Sequence, residues 1–81
     1  MNDNVAKTSF NAFPNPVLNR LSFSSDKISS VEIYNILGAK VTSQKVINKS
    51  IDMSSLSKGI YMVKCKDADD QNMGTIKAIK E

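Results

Sequence analysis

Ile51-Asp52-Met53-Ser54-Ser55-Leu56-Ser57-Lys58-Gly59-Ile60-Tyr61-Met62-Val63 reads as a short strand, a turn and the start of a strong β run. Leu56, Gly59 and Tyr61 have the spacing of a tyrosine corner, where a Tyr near the start of a late strand hydrogen-bonds back across the preceding turn. Val63 stands two residues beyond Tyr61, where a bridged sandwich carries a disulfide Cys. The segment therefore predicts a two-layer β-fold held together without a bridge.

The rest of the chain is consistent with one small domain. Eighty-one residues leave no room for a second, and a chain of this size buries only about 60–65% of its unfolded surface. Hydrophobic residues make up 41%, enough for one core, but three Phe, two Tyr and no Trp keep it light. Cys65 is the sole cysteine, which excludes an internal disulfide. Its place in a strand pattern marks a small buried hydrophobe rather than a reactive thiol. The net charge of +3 comes from scattered lysines, with Arg20 the only arginine, so no phosphate-reading cluster exists and no nucleic-acid partner is expected. No apolar run approaches the ~20 residues that span a bilayer, and the N-terminus lacks the pattern of a signal peptide.

Residues 1–9 are polar and unpatterned, and read as a flexible linker or an expression start. Phe10–Phe13 is a candidate first strand, stopped by Pro14-Asn15-Pro16, where two prolines remove two amide donors and force an extended turn. Leu21 and Phe23 alternate with serines in a half-buried strand. Val31 and Ile33 share one face, Glu32 and Tyr34 the other, and Gly38 supplies the positive φ of a tight turn. Lys40–Ile47 then returns as the second arm of a hairpin. Ile51–Met53 is a brief edge strand, and Ser54–Leu56 forms one helical turn at most. Gly59–Lys66 starts apolar on both faces and so reads as central. Asp67–Asn72 is a polar turn, and Met73–Lys80 pairs back onto Gly59–Lys66. About seven short antiparallel strands with a tyrosine corner predict an all-β, immunoglobulin-like sandwich without a disulfide.

Catalytic chemistry is hard to assemble from these residues. The chain has no His, which removes the usual general base and the commonest metal ligand, and no serine lies in a Gly-x-Ser-x-Gly elbow. Asp67, Asp69 and Asp70 invite a calcium reading, but the loop lacks the glycine and the closing Glu of an EF-hand, so a solvated turn is expected. No enzyme activity, cofactor or metal is expected.

From Phe10 onward the chain resembles the C-terminal sorting domain of the type IX secretion system of Bacteroidetes. Phe13-Pro14-Asn15-Pro16 is similar to the family's opening motif, and Leu21 with Phe23 to its first alternating strand. Val31-Glu32-Ile33-Tyr34-Asn35-Ile36-Leu37-Gly38 resembles its Val-x-Ile-Tyr-Asp-x-x-Gly segment, with Lys40-Val41 following and Asn35 in place of the usual Asp. Ile51 to Tyr61 resembles its Ile-Asp-x-Ser-x-Leu-x-x-Gly-x-Tyr signature, and Lys77-Ala78-Ile79-Lys80 its closing Lys-rich strand, although Glu81 stands where a basic residue often ends the family.

The resemblance implies a domain, residues 10–81, that acts as an address for an N-terminally attached cargo. It would direct that cargo from the periplasm through the type IX outer-membrane machinery to the surface or medium. A sortase-like peptidase would then remove it, in or upstream of residues 1–9. Pro14, Asn15, Pro16, Gly38, Gly59 and Tyr61 would define the fold. Lys77, Ile79 and Lys80 would be read by the translocon through addition of a strand to the final edge. Removal of Thr75–Glu81 would then block export while upstream folding persists. The competing expectation is a carbohydrate-binding or adhesion module of a secreted protein, since fold alone does not decide function.

Overall fold

Alternation of apolar and polar residues decides which side each strand buries. The computed structural model describes residues 10–81, so the expected linker 1–9 lies outside the described residues. In chain order the strands are β1 (Ala12–Phe13), β2 (Arg20–Phe23), β3 (Ser30–Asn35), β4 (Lys40–Lys45), β5 (Ser50–Asp52), β6 (Gly59–Lys66) and β7 (Asn72–Lys80). They form a three-stranded sheet, β1-β2-β5, and a four-stranded sheet, β4-β3-β6-β7, with every strand pair antiparallel. Strands one, two and five thus face three, four, six and seven in a two-sheet sandwich; the constant-type immunoglobulin order differs in placing the fourth strand beside the fifth, whereas here β4 pairs with β3.

Leu21 and Phe23 of β2 and Ile51 of β5 face Val31 and Ile33 of β3 and Tyr61, Val63 and Cys65 of β6 across one core. Phe10 is not a strand residue, contrary to the expected start of β1; its ring is buried and meets Phe23 edge-on at 6.2 Å. Val17 and Met53, both fully buried, lie between strands and close the ends of the core.

Two tight loops of the four-stranded sheet share one construction. In the first, Asn35 N–H donates to Ala39 O, Gly38 N–H donates to Asn35 O, and Asn35 Oδ1 accepts from the amides of Leu37 and Ala39. Asp67 makes the same four bonds with Asp69, Asp70 and Gln71. Gly38 at φ 89° and Asp70 at φ 66° supply the left-handed residue that each loop needs. The Asn35 carboxamide oxygen thus fills the role a carboxylate fills at Asp67, and the Asp67–Gln71 turn uses its acid to order its own backbone.

The returning strand β4 stops at Lys45, short of the expected Ile47. Ile47 and Ser50 instead pair across a two-residue turn in which Asn48 and Lys49 have φ 54° and 62°. Both central residues of such a turn need positive φ, which a Lys adopts only at a cost. Lys49→Gly is therefore expected to stabilise the domain by about 1 kcal/mol, read as a rise in chemical-denaturation midpoint with an unchanged slope. An unchanged midpoint would show that this turn carries no strain.

Each sheet has an edge closed by a side-chain amide standing in for a strand. On one side Gln44 Nε2 donates to Asp52 O at 2.6 Å while Gln44 Oε1 accepts from Asp52 N–H at 3.1 Å. On the other, Asn15 Nδ2 donates to Lys77 O at 3.2 Å and its Oδ1 accepts from Ile79 N–H at 3.0 Å. The Phe13–Pro14 and Asn15–Pro16 peptide bonds are both cis. Rather than merely stopping β1, the Pro-Asn-Pro segment clips the end of β7.

Candidate recognition surface

The corner motif builds one end of this surface. Asp52 accepts the amide of Ser54 at 2.9 Å, and the Ser54 hydroxyl and amide together hold the Asp52 carboxyl below its usual range. Leu56 N–H donates to Met53 O at 3.1 Å and closes the turn, leaving the Leu56 side chain packed against the core. Gly59 follows at φ 158°, a backbone that side-chain-bearing residues rarely adopt. Tyr61 then lies buried, and its hydroxyl donates to Ser57 O at 2.8 Å, the backward bond its spacing predicts.

The three residues expected to be read on the last strand have different surroundings. Lys77 is exposed and Ile79 half-buried; both point to the outer face of the four-stranded sheet. Lys80 shares the inward face with Ala78, is 7% exposed, and its ammonium donates to Glu81 O at 2.8 Å. Of the three, Lys80 is thus the least accessible.

Nor is the end of β7 an open edge. Val17 N–H donates to Ile79 O at 2.7 Å and Glu81 N–H to Val17 O at 2.9 Å. With the Asn15 clip, the outward groups of Lys77 O, Ile79 and Glu81 N are all satisfied. Strand addition at Lys77–Glu81 would first have to displace Pro14–Val17. What remains open on this edge is the stretch around Thr75, beside a cleft lined by Phe10, Ala12, Leu21 and Ile76.

Asn15→Ala removes two hydrogen bonds to exposed backbone, worth together about 1–2 kcal/mol. The expected result is loss of hydrogen-exchange protection at the Ile79 amide while the Val63 amide stays protected; equal loss at both would mean that Asn15 supports the whole fold rather than one edge.

Across the outer face of the same sheet, Ile60, Met62 and Lys64, which sequence reading left unused, lie beside Lys77 and Ile79. Met62 pairs with Tyr34 on one side and Lys77 on the other; Ile60 pairs with Ile79; Lys64 lies opposite Glu32 and Thr75. Ile60 is 38% and Met62 37% exposed. β6 is central, as its apolar pattern implies, yet no third layer covers its outer side among the described residues. Glu32 accepts from the Tyr34 hydroxyl at 2.9 Å and lies 3.4 Å and 3.5 Å from the ammonium groups of Lys40 and Lys66. That bond first, and the two lysines, hold its carboxyl below the usual range, while the same bond raises the Tyr34 phenol. Cys65, on the opposite side of β6, is buried, and burial pushes its thiol up to about 12, far from any nucleophile's range.

A family profile, the secretion system C-terminal sorting domain, matches residues 11–81. The chain belongs to that family. Searches of the curated proteins and of the solved structures return no significant match. Membership makes the sorting domain part of the type IX secretion system, with a secreted or cell-surface cargo. The segments that carried the resemblance lie at defined places in the fold: Asn15 bonds to β7, Gly38 lies in the turn between β3 and β4, and Ile51 to Tyr61 spans the corner. Among the described residues no helix is long and apolar enough to cross a membrane.

Proposed function

We propose that this domain is the passenger's own address label: it carries an N-terminally attached protein from the periplasm through the outer-membrane machinery, performs no chemistry, and is then cut away by a sortase-like peptidase. The observation that carries the reading is the family match over residues 11–81. The lack of any His supports a substrate rather than a catalyst. The burial of Phe10 against Phe23 supports a cut upstream of residue 10, because cleavage beyond it would breach the core. The glycan-binding alternative lacks an aromatic platform: Tyr34 is half-buried with its hydroxyl on Glu32, and Phe13 is exposed on the other sheet.

The test is a fluorescent reporter carrying this chain at its C-terminus in a bacterium with a working type IX system. Reporter in the medium or on the surface, and periplasmic retention in a translocon-deficient strain, is the expected pair of results. Retention in both strains would end the reading.

A further inference from the structure

We infer that the outer face of the four-stranded sheet is the surface by which the domain is held during export, and that its partner is a protein presenting apolar side chains set among carboxylates. The inference rests on the sorting reading and adds to it the site and the chemistry of recognition.

Register places Lys45 of β4, Lys64 of β6 and Lys77 of β7 on this face with Tyr34, Ile60, Met62 and Ile79. Lys40 and Lys66 are there too, both held by Glu32, the one acidic side chain that the strands of this face present. Among the described residues Lys45, Lys64 and Lys77 have no carboxylate within 4.0 Å. A net charge of only +3 for the whole chain is thus distributed unevenly, with the positive excess around an uncovered apolar strip. Apolar groups left in water at the centre of a sheet, ringed by unpaired cations, suit an interface with a desolvated centre and a charged rim.

The occupant follows from that charge. A second copy docked face to face would set lysines against lysines. An anionic bilayer would satisfy the lysines, but Ile60 and Met62 are each little more than a third exposed, less apolar surface than an inserting face presents. A partner surface with Asp or Glu around apolar residues satisfies both features.

The test uses the full reporter fusion in the type IX bacterium. The double variant Lys64→Glu/Lys77→Glu is compared with Lys27→Glu/Lys49→Glu, which changes net charge equally away from this face, and with Lys64→Arg/Lys77→Arg. Export of the first is expected to fall about tenfold or more, with the other two near the parent level. Met62→Thr, which keeps a strand-forming residue but shortens the side chain and makes it polar, is expected to reduce export as well. Thermal melts of the purified domains show that the variants remain folded, and a photo-crosslinker at Met62, but not at Ser22, is expected to trap a component of the outer-membrane machinery. Normal export of folded Lys64→Glu/Lys77→Glu overturns the inference while leaving the sorting reading intact. Retention of the parent reporter overturns both. Parent domain that binds phosphatidylglycerol vesicles, or self-associates in sedimentation, through Lys64 and Lys77 reassigns the face and overturns the protein partner.

Discussion

Tyr61→Ala is expected to lower stability by about 3–5 kcal/mol, the range for deleting a buried aromatic side chain. The ring is 8% exposed and packs in the core at the point where β6 leaves the corner. The substitution opens a cavity beside Ala78 on the neighbouring strand and leaves the Ser57 carbonyl without its donor. A domain of this size has a stability near the low end of roughly 5–15 kcal/mol, so most or all of it is lost. Tyr61→Phe separates the two contributions. It keeps the ring and removes only the hydroxyl, so the expected cost is about 1 kcal/mol. Urea titrations of both variants check this. A Tyr61→Ala midpoint close to the parent would mean that the corner is ornamental; a Tyr61→Phe cost equal to that of Tyr61→Ala would mean that the hydrogen bond, not packing, is decisive. Export of the reporter should follow stability in this pair, because neither change alters the outer face.

That fold was legible because its signals are local. Val31 and Ile33 alternate with Glu32 and Tyr34, Gly38 and Gly59 punctuate, and the Leu56–Gly59–Tyr61 spacing names the corner, all within windows of a few residues. The parts that escaped are contacts between distant residues. Nothing near Asn15 in sequence indicates that its carboxamide pairs with backbone 62 and 64 residues away, so Pro14-Asn15-Pro16 read as a stop signal instead of a clip. Lys80 escaped differently. Period-2 counting from Ala78 puts it on the inward face, but a lysine at a strand end reads as outward by habit; the end of the sheet lets its stem lie against the core while the ammonium reaches the Glu81 carbonyl. The outer strip escaped because an apolar residue on either face of β6 is equally well explained by burial. Only the arrangement of layers shows that Ile60 and Met62 lack a cover.

Deleting Thr75–Glu81 is expected to abolish cooperative unfolding altogether, which makes the tail a strut and not a detachable signal. Residues 75–80 pair with β6 from Lys64 to Gly59 and bring Ile76, Ala78 and Lys80 to the inner side, Ala78 at 1% exposure. Without them most of β6 becomes an edge, Val63 and Tyr61 lose their cover on one side, and Asn15 and Val17 lose the β7 backbone they bond to. A central strand stripped of its neighbour also exposes unpaired backbone groups, an invitation to aggregate. Near-UV dichroism or an amide spectrum of the truncated domain is expected to show a collapsed, undispersed chain, and its reporter to stay in the cell. A truncated chain that melts cooperatively near the parent temperature would restore the idea of a separable tail. Loss of export on truncation is thus expected whether the tail is read or merely structural, and cannot by itself locate the reader. Surface changes such as Lys64→Glu with Lys77→Glu can, because they alter what the domain presents without removing anything that holds it together.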